Sequence, residues 1–377
     1  IWDMISTTSA HDEESDDSSQ EEVTYALKHL HPQMTEKQRD FTASAIDLVL
    51  EAKILAHLDH PNIVKLFGVT KGSISTVFCG NGYFLLLDRL YGTLEDKIQE
   101  WISSEMIANV TTQTRRTSLS GNQPARRYSN AGGASSGRGG NDGATAPADG
   151  AMTYKERCKL VDERIQSVGL DVARGMEYLH QHRIVFRDLK PSNVGFTAKG
   201  TVRIFDFGLA KEIIDSKRRL TGNTGSLRYM APEVNRREHY GLSADVYSYG
   251  IMLWEMCCLK KPFKGMTKEE HATLVIHKGF RPKISSVPGS DDLKQLIQVC
   301  WSAEAPERPT FREIRRALTT DLATKKKLEE EERERKMAQQ SAPSKLIMRL
   351  RRQHRGTTNG TYRKSAPKKG NFQLPFS

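Results

Sequence analysis

The sequence predicts an α+β chain of two lobes, a small β-rich one first and a large, mainly helical one after it. Three observations lead there. Short runs of β-favouring residues fall before about residue 90 with one helical period among them. Helical apolar spacing dominates after about residue 150. A stretch rich in Gly, Ser and Ala separates the two regions. At 377 residues the chain is long enough for two lobes with a substantial core.

In chain order, residues 1–22 hold eight acids and no Lys or Arg. Such a segment buries too little apolar surface to offset its ordering entropy, so disorder is expected there. "VTYALKHL" (23–30) reads as a strand, and "FTASAIDLVLEAKILAHL" (41–58) carries a helical apolar period. "NIVKLFGV" (62–69) and "YFLLLDRL" (83–90) are further strands, which puts the small lobe at about 23–90. Residues 103–150 are mostly small and polar with scattered arginines, and read as a disordered insertion. Two Arg-Arg-x-Ser stretches, ending at Ser118 and Ser129, lie within it. Beyond it, "RIQSVGLDVARGMEYLHQH" (164–182) is an amphipathic helix, and "TVRIFDFGLA" (201–210) is a strand running into a loop. Residues 243–318 are mostly helical in pattern, so the large lobe spans about 151–320. "KKKLEEEERERK" (325–336) suits a solvated helix with i, i+4 charge pairs, and a basic disordered tail is expected to follow.

Composition excludes some classes. A hydrophobic share of 37% with 27% charged residues is ordinary for a chain that folds in water, and no run of about 18 apolar residues exists to span a membrane as a helix. The five cysteines, at 79, 158, 257, 258 and 300, make neither a CxxC pair nor an even disulfide framework, and no basic-then-apolar leader opens the chain. A reducing intracellular setting, the cytoplasm, is expected. The net charge of +11 is unevenly spread, since residues 323–377 hold fifteen basic residues against five acids. Within them "KLIMRLRRQHR" could touch an acidic partner or anionic lipid, or stay solvated, and no nucleic-acid-binding motif accompanies it.

The chemistry-bearing motifs come in a fixed order: "YALK" (25–28), a helical Glu51, "FRDLKPSN" (186–193), "DFG" (206–208) and "APE" (231–233). "SADVYSYGIMLWEM" (243–256) and the pattern of Cys300, Trp301, Pro306, Arg308 and Pro309 follow. One of these alone would say little; together, at this spacing, they are specific. On these residues the chain resembles a eukaryotic protein kinase catalytic domain of the serine/threonine type, from about residue 23 to 320. It is most similar to the tyrosine-kinase-like group. The resemblance implies transfer of the γ-phosphoryl group of ATP, with Mg²⁺, to protein substrates in intracellular signalling.

Phosphoryl transfer asks a protein for positioning and charge neutralisation more than for covalent work. The resemblance gives Asp188 the task of orienting the accepting hydroxyl and taking its proton, and Lys190 that of neutralising the moving phosphoryl group. Asn193 and Asp206 would offer hard oxygen ligands to Mg²⁺. Lys28 would grip the α- and β-phosphates and Glu51 would hold it by an ion pair. By position Leu87 is the gatekeeper, Asp88 and Leu90 would present hinge backbone groups to adenine, and Ala26 would pack on the ring. A plain core role for Leu87 is compatible with this. The lysine two residues after Asp188 points to Ser or Thr as acceptor, and Ser226 aligns with a hydroxyl that touches the catalytic aspartate and lysine. Arg187 implies a basic pocket for a phosphorylated activation loop, with Thr221 and Thr224 the nearest acceptors; an arginine paired with a carboxylate is the alternative. Glu233 is expected to form a buried ion pair with Arg308, whereas Arg312 is expected to be solvated.

Two departures from the family stand out. Phe186 occupies a position where the family usually carries histidine, in an apolar stack whose other members by position are Phe207, Leu55 and Leu66. A phenyl ring fills that place without needing a hydrogen-bond partner, so the loop reads as intact. The second departure is that the family's glycine-rich loop has no counterpart before Lys28, because the first glycine is Gly68. Either the loop precedes Ile1 and the chain is an N-terminally truncated fragment, which would leave a lost targeting segment open, or the protein is a pseudokinase with impaired nucleotide binding. Three classes therefore stand: an active kinase, a pseudokinase scaffold, and an adaptor that displays the basic tail. The presence of Lys28, Asp188, Asn193 and Asp206 together argues for the first.

Overall fold

The first lobe is a four-stranded sheet with one helix in this computed structural model, which describes residues 2–5, 25–29, 38–72, 83–119, 152–214 and 220–341. Strands β1 (Trp2–Ile5), β2 (Tyr25–Lys28), β4 (Leu85–Asp88) and β3 (Leu66–Val69) lie side by side in that order, each pair antiparallel. The β2–β4 register sets Ala26 opposite Leu87 and Lys28 opposite Leu85, and Ala26, Leu85 and Leu87 are buried. Helix α1 (Gln38–Leu55) buries Ala45, Leu48, Ala52 and Leu55, the i, i+3, i+7 recurrence that makes one apolar stripe.

The expectation of disorder over 1–22 fails at its start. Trp2–Ile5 pair along β2, from Trp2 opposite Lys28 to Ile5 opposite Tyr25. An average over 22 residues hides a four-residue run with β-favouring Trp and Ile, and pairing needs only a partner edge, which β2 supplies. The rest of that segment lies outside the described residues.

The second lobe is mainly helical. Helix α2 (Leu94–Leu119) is followed by α3 (Tyr154–Arg164), which passes through a π turn at Ile165–Gly169 into α4 (Leu170–Gln181). Thr153 and Glu156 form a reciprocal capping box that starts α3. The short pairs β5 (Ile184–Val185) with β8 (Lys211–Glu212), and β6 (Val194–Phe196) with β7 (Val202–Ile204), carry the catalytic-loop motif and the DFG motif between them. Helices α5 (Pro232–Asn235), α6 (Ser243–Cys258), α7 (Lys268–His271), α8 (Asp291–Cys300) and α9 (Phe311–Ser341) complete the order. Every residue of α6 from Ala244 to Cys257 is buried, as expected of a helix apolar on nearly all sides at the centre of a lobe. Gly250 permits the close crossing of α8, since a Cβ there would lie 2.8 Å from the Cβ of Cys300.

Residues 103–119, expected within the insertion, instead continue α2. The physical reason is local: Trp101 and Ile102 pack on the core, Arg164 of α3 pairs with Glu105, and the helix propagates from that anchored turn. Ser118 falls on this helix, while Ser129 and residues 120–151 lie outside the described residues. In α9 Phe311, Ile314 and Leu318 are buried and Leu322 packs partly buried on the same core, after which the apolar period ends. Residues 323–377 form a separate unit, in which the helical part carries the expected charge pairing, Glu332 with Lys336 at 2.7 Å. The basic stretch 345–355 lies outside the described residues. Among the described residues no helix is long and apolar enough to cross a membrane.

Candidate active site

Two clusters of charge are assembled from different elements. The first begins on β2, where Lys28 donates to both carboxylate oxygens of Glu51 on α1, at 2.8 and 2.7 Å, and to Oδ1 of Asp206 at 2.6 Å. Burial disfavours charge on both Lys28 and Glu51 and lifts the Glu51 carboxyl. Two carboxylates nevertheless outweigh burial at Lys28 and hold its ammonium above the ordinary lysine range, so the charged triad is the state the geometry supports. Glu51 also accepts the N–H of Phe207 at 3.0 Å, which ties α1 to the DFG motif. Asp206 sits in the left-handed region, with φ 66° and ψ 70°, a conformation Asp tolerates better than most residues.

The second cluster is the loop between β5 and β6. Asp188 accepts from Lys190 Nζ at 2.6 Å, from Asn193 Nδ2 at 3.1 Å and from the Ser226 amide at 2.9 Å. Lys190 also reaches the Ser226 hydroxyl at 2.9 Å, so Asp188, Lys190, Asn193 and Ser226 form one network. Gly225 makes the approach possible: its φ is +109°, and a Cβ there would lie 2.3 Å from the Arg187 carbonyl oxygen. Asn193 spends its amide nitrogen on the Asp188 carbonyl and carboxylate, and Asp206 meets Lys28 through Oδ1. That leaves the Asn193 amide oxygen and the second Asp206 oxygen as hard donors, a set that fits a divalent cation such as Mg²⁺.

Sequence reasoning missed what holds this loop. Asp245, in the first turn of α6 and 0% exposed, accepts from the Phe186 and Arg187 amides at 2.8 Å each, while His180 Nε2 stands 3.0 Å away. Arg187 has φ 71°, and these two bonds stabilise the turn that this conformation makes. An acid embedded in an otherwise apolar helix is the signal that could have found it. Phe186 is fully buried, with its ring edge-on to Phe207 at 5.1 Å between centroids, and Leu55 and Leu66 contribute to the same core.

The remaining positions divide. Ala26 and Leu87 are buried directly opposite each other. The Asp88 amide donates to Lys65 O at 3.1 Å and its carboxylate accepts the Lys65 amide at 2.9 Å, so its backbone carbonyl is what the hinge could present; Leu90 is partly buried nearby. Arg187 donates to the Leu209 carbonyl and lies 3.5 Å from the Tyr240 hydroxyl, with no described carboxylate at ion-pair distance. Thr224 shares a small cavity with Arg187, whereas Thr221 is exposed. Glu233 and Arg308 form a bidentate pair at 2.6 and 2.8 Å, with the arginine side chain wholly buried.

This sequence matches the family described as protein tyrosine and serine/threonine kinase over residues 6–318. Among curated proteins it is 38% identical over 161 residues to serine/threonine-protein kinase STY17 of Arabidopsis thaliana, covering 43% of this chain and 28% of that protein. It is 39% identical over 166 residues to serine/threonine/tyrosine-protein kinase HT1 of the same plant, covering 43% of this chain and 41% of that protein. To serine/threonine-protein kinase VIK it is 38% identical over 172 residues, covering 44% of this chain and 39% of the relative. In each case the chain spans less than half of the relative's length.

Proposed function

Because the chain belongs to the family of protein tyrosine and serine/threonine kinases, we propose that it transfers the γ-phosphoryl group of ATP to serine or threonine hydroxyls of protein substrates. The observation that carries this is the network in which Lys190 and Ser226 close on Asp188 while Lys28, Glu51 and Asp206 pair across two lobes. The family implies ATP and a divalent metal, and the hard oxygens of Asn193 and Asp206 make Mg²⁺ the metal of choice. When bound, that ion would neutralise phosphate charge.

The chain's own residues do the rest. Lys28, held by Glu51, steadies the α- and β-phosphates. Asp188 aligns the accepting hydroxyl and takes its proton, with Asn193 and the Ser226 amide fixing the carboxylate. Lys190 neutralises the phosphoryl group in transit. Ala26 and Leu87 give the adenine an apolar floor, and the Asp88 carbonyl and Leu90 the polar edge. Arg187, lacking a described carboxylate partner, is the base of a pocket that phosphorylated Thr224 or Thr221 would fill, ordering the activation segment. An intracellular, cytoplasmic site of action and contact of the basic tail with acidic partners or anionic lipid belong to the same proposal. The pseudokinase reading is not favoured, since the chain belongs to the kinase family and Lys28, Asp188, Asn193 and Asp206 are all present.

The full chain, given labelled ATP, Mg²⁺ and serine- or threonine-containing peptides, is expected to produce phosphoserine or phosphothreonine. Asp206→Asn should lower the rate by roughly 100-fold, the order typical for loss of one positioned electrostatic group. It should also shrink the rise in melting temperature that Mg-ATP gives the parent chain. Undiminished transfer and an unchanged shift in the variant would refute the metal role.

A further inference from the structure

A second cleft of about 520 Å³ opens beside the catalytic network and shares Lys190 and Ser226 with it. Its other charged or titratable walls are Arg228, Tyr229, Lys261, Lys268 and His271, and among the described residues no acidic side chain lines it. Lys261 is already neutralised, by Glu95 at 2.8 Å and Glu255 at 3.3 Å. Arg228 is not: its guanidinium donates to the carbonyls of Pro262 and Phe263 at 2.7 and 3.2 Å and meets no described carboxylate. Lys268 is exposed and lines the cleft; of the two acids that follow it, Glu270 is occupied in the capping box with Thr267, and Glu269 is exposed, bonds Thr267 and partly offsets the Lys268 charge.

His271 is the second, independent observation. It is 3% exposed, and among the described residues neither ring nitrogen has a hydrogen-bond partner. Phe263 meets it edge-on at 5.0 Å. Burial, reinforced by Arg228 and Arg281, pushes its pKa down to about 4, so the ring is neutral and keeps one N–H to donate. A buried donor without an acceptor is a vacancy that native structures rarely leave, and the groups around it are cationic.

We infer that this cleft selects substrates carrying an anionic side chain, a carboxylate or a phosphate, within about three residues of the accepting hydroxyl. The inference rests on the kinase reading, because only an accepting hydroxyl placed at Asp188 puts its neighbours here. Arg228 and Lys268 supply the positive field, and His271, buried in the cleft wall, supplies an N–H that has no acceptor among the described residues. An anion so placed accepts charge-assisted hydrogen bonds, shorter and stronger than neutral ones.

The test is binding first and transfer second, both with the full chain. Fluorescent peptides that differ only by Ala, Asp, phosphoserine or Lys at each of three positions either side of a serine are titrated without nucleotide and followed by anisotropy. At one or more positions Asp or phosphoserine should bind about tenfold tighter than Ala at low ionic strength, and the advantage should fade as salt rises. Whichever of the two anions binds better identifies the source. Lys268→Glu, at an exposed position, should abolish or invert the preference while the Ala peptide binds as before. His271→Phe, which keeps the ring but not the donor, should weaken only the anionic peptides. Equal affinity for acidic, neutral and basic peptides, or a preference that survives Lys268→Glu, overturns the cleft's assignment. Acid-selective binding with no phosphoryl transfer to any peptide would overturn the kinase reading instead and leave the cleft standing.

Discussion

Arg308 shows how much one side chain can hold when nothing around it can replace it. Its guanidinium meets both oxygens of Glu233 and also donates to the carbonyls of Ser243, Ser302 and Ala303, so it joins the end of the activation segment to two stretches of the large lobe. Arg308→Ala strands the Glu233 carboxylate in the interior, which typically costs about 3–5 kcal/mol, or a fall in melting temperature on the order of 10 °C for a chain of this size. Arg312 is the control. Its side chain is 61% exposed, and its contact with Glu177 at 3.5 Å is backed by Arg315 on the same carboxylate at 2.6 Å. Arg312→Ala should therefore cost about 0–1 kcal/mol. Equal melting temperatures for the two variants would show that the buried pair does not clamp the lobe. The Glu233–Arg308 pair was legible in the sequence because its residues fall inside fixed motifs. The cation cleft at His271 was not, because Arg228, Lys268 and His271 belong to no shared pattern and meet only when the chain between them folds.

At the scale of elements, what the sequence hides is any role that depends on a distant partner. The catalytic loop carries its chemistry openly in "RDLKPSN", yet its shape is set by Asp245, 57 residues beyond Asp188, which the sequence places only within a helical stretch and a family motif, with no role of its own. The helix α2 and the strand β1 were missed for the opposite reason. Averaged composition reads a segment as polar, whereas an anchored helical turn or a free sheet edge can order the few residues that touch it. The strands around Lys28, Leu66 and Leu87 were legible because each is a short run of β-favouring residues, of which Ala26, Leu85 and Leu87 are buried and Leu66 partly so. Asp245 yields a test at this scale. Asp245→Ala removes the acceptor for two amides, one of them fully buried, at about 1–3 kcal/mol for each unsatisfied group. Asp245→Asn keeps one acceptor oxygen and should fall between. Thermal melting is expected to rank parent, Asn and Ala in that order, with faster amide exchange across residues 186–193 in both variants. Parent-like exchange and melting in the alanine variant would mean that α6 does not set the loop.

Across the whole folded unit, the sheet and the helical lobe are joined by two devices of different chemistry. Phe186, Phe207, Leu55 and Leu66 form the apolar join, which works in any protonation state. The triad of Lys28, Glu51 and Asp206 forms the charged one, and it draws one member from the sheet, one from α1 and one from the large lobe. Glu51→Gln separates the two. The amide is the size of the carboxylate and can still accept the Phe207 N–H, so the apolar join and the seating of α1 should persist. Lys28 keeps Asp206 at 2.6 Å but loses the Glu51 countercharge that positions it against the pull of the Asp206 carboxylate. The expected result is a loss of transfer rate of roughly 100-fold, as misplacement of a positioning group commonly gives, with a smaller fall in melting temperature than Arg308→Ala produces. Phosphoryl transfer and differential scanning fluorimetry on the same preparations measure both. A rate within about twofold of the parent would mean that the charged join is dispensable and that the lobes are aligned by packing alone.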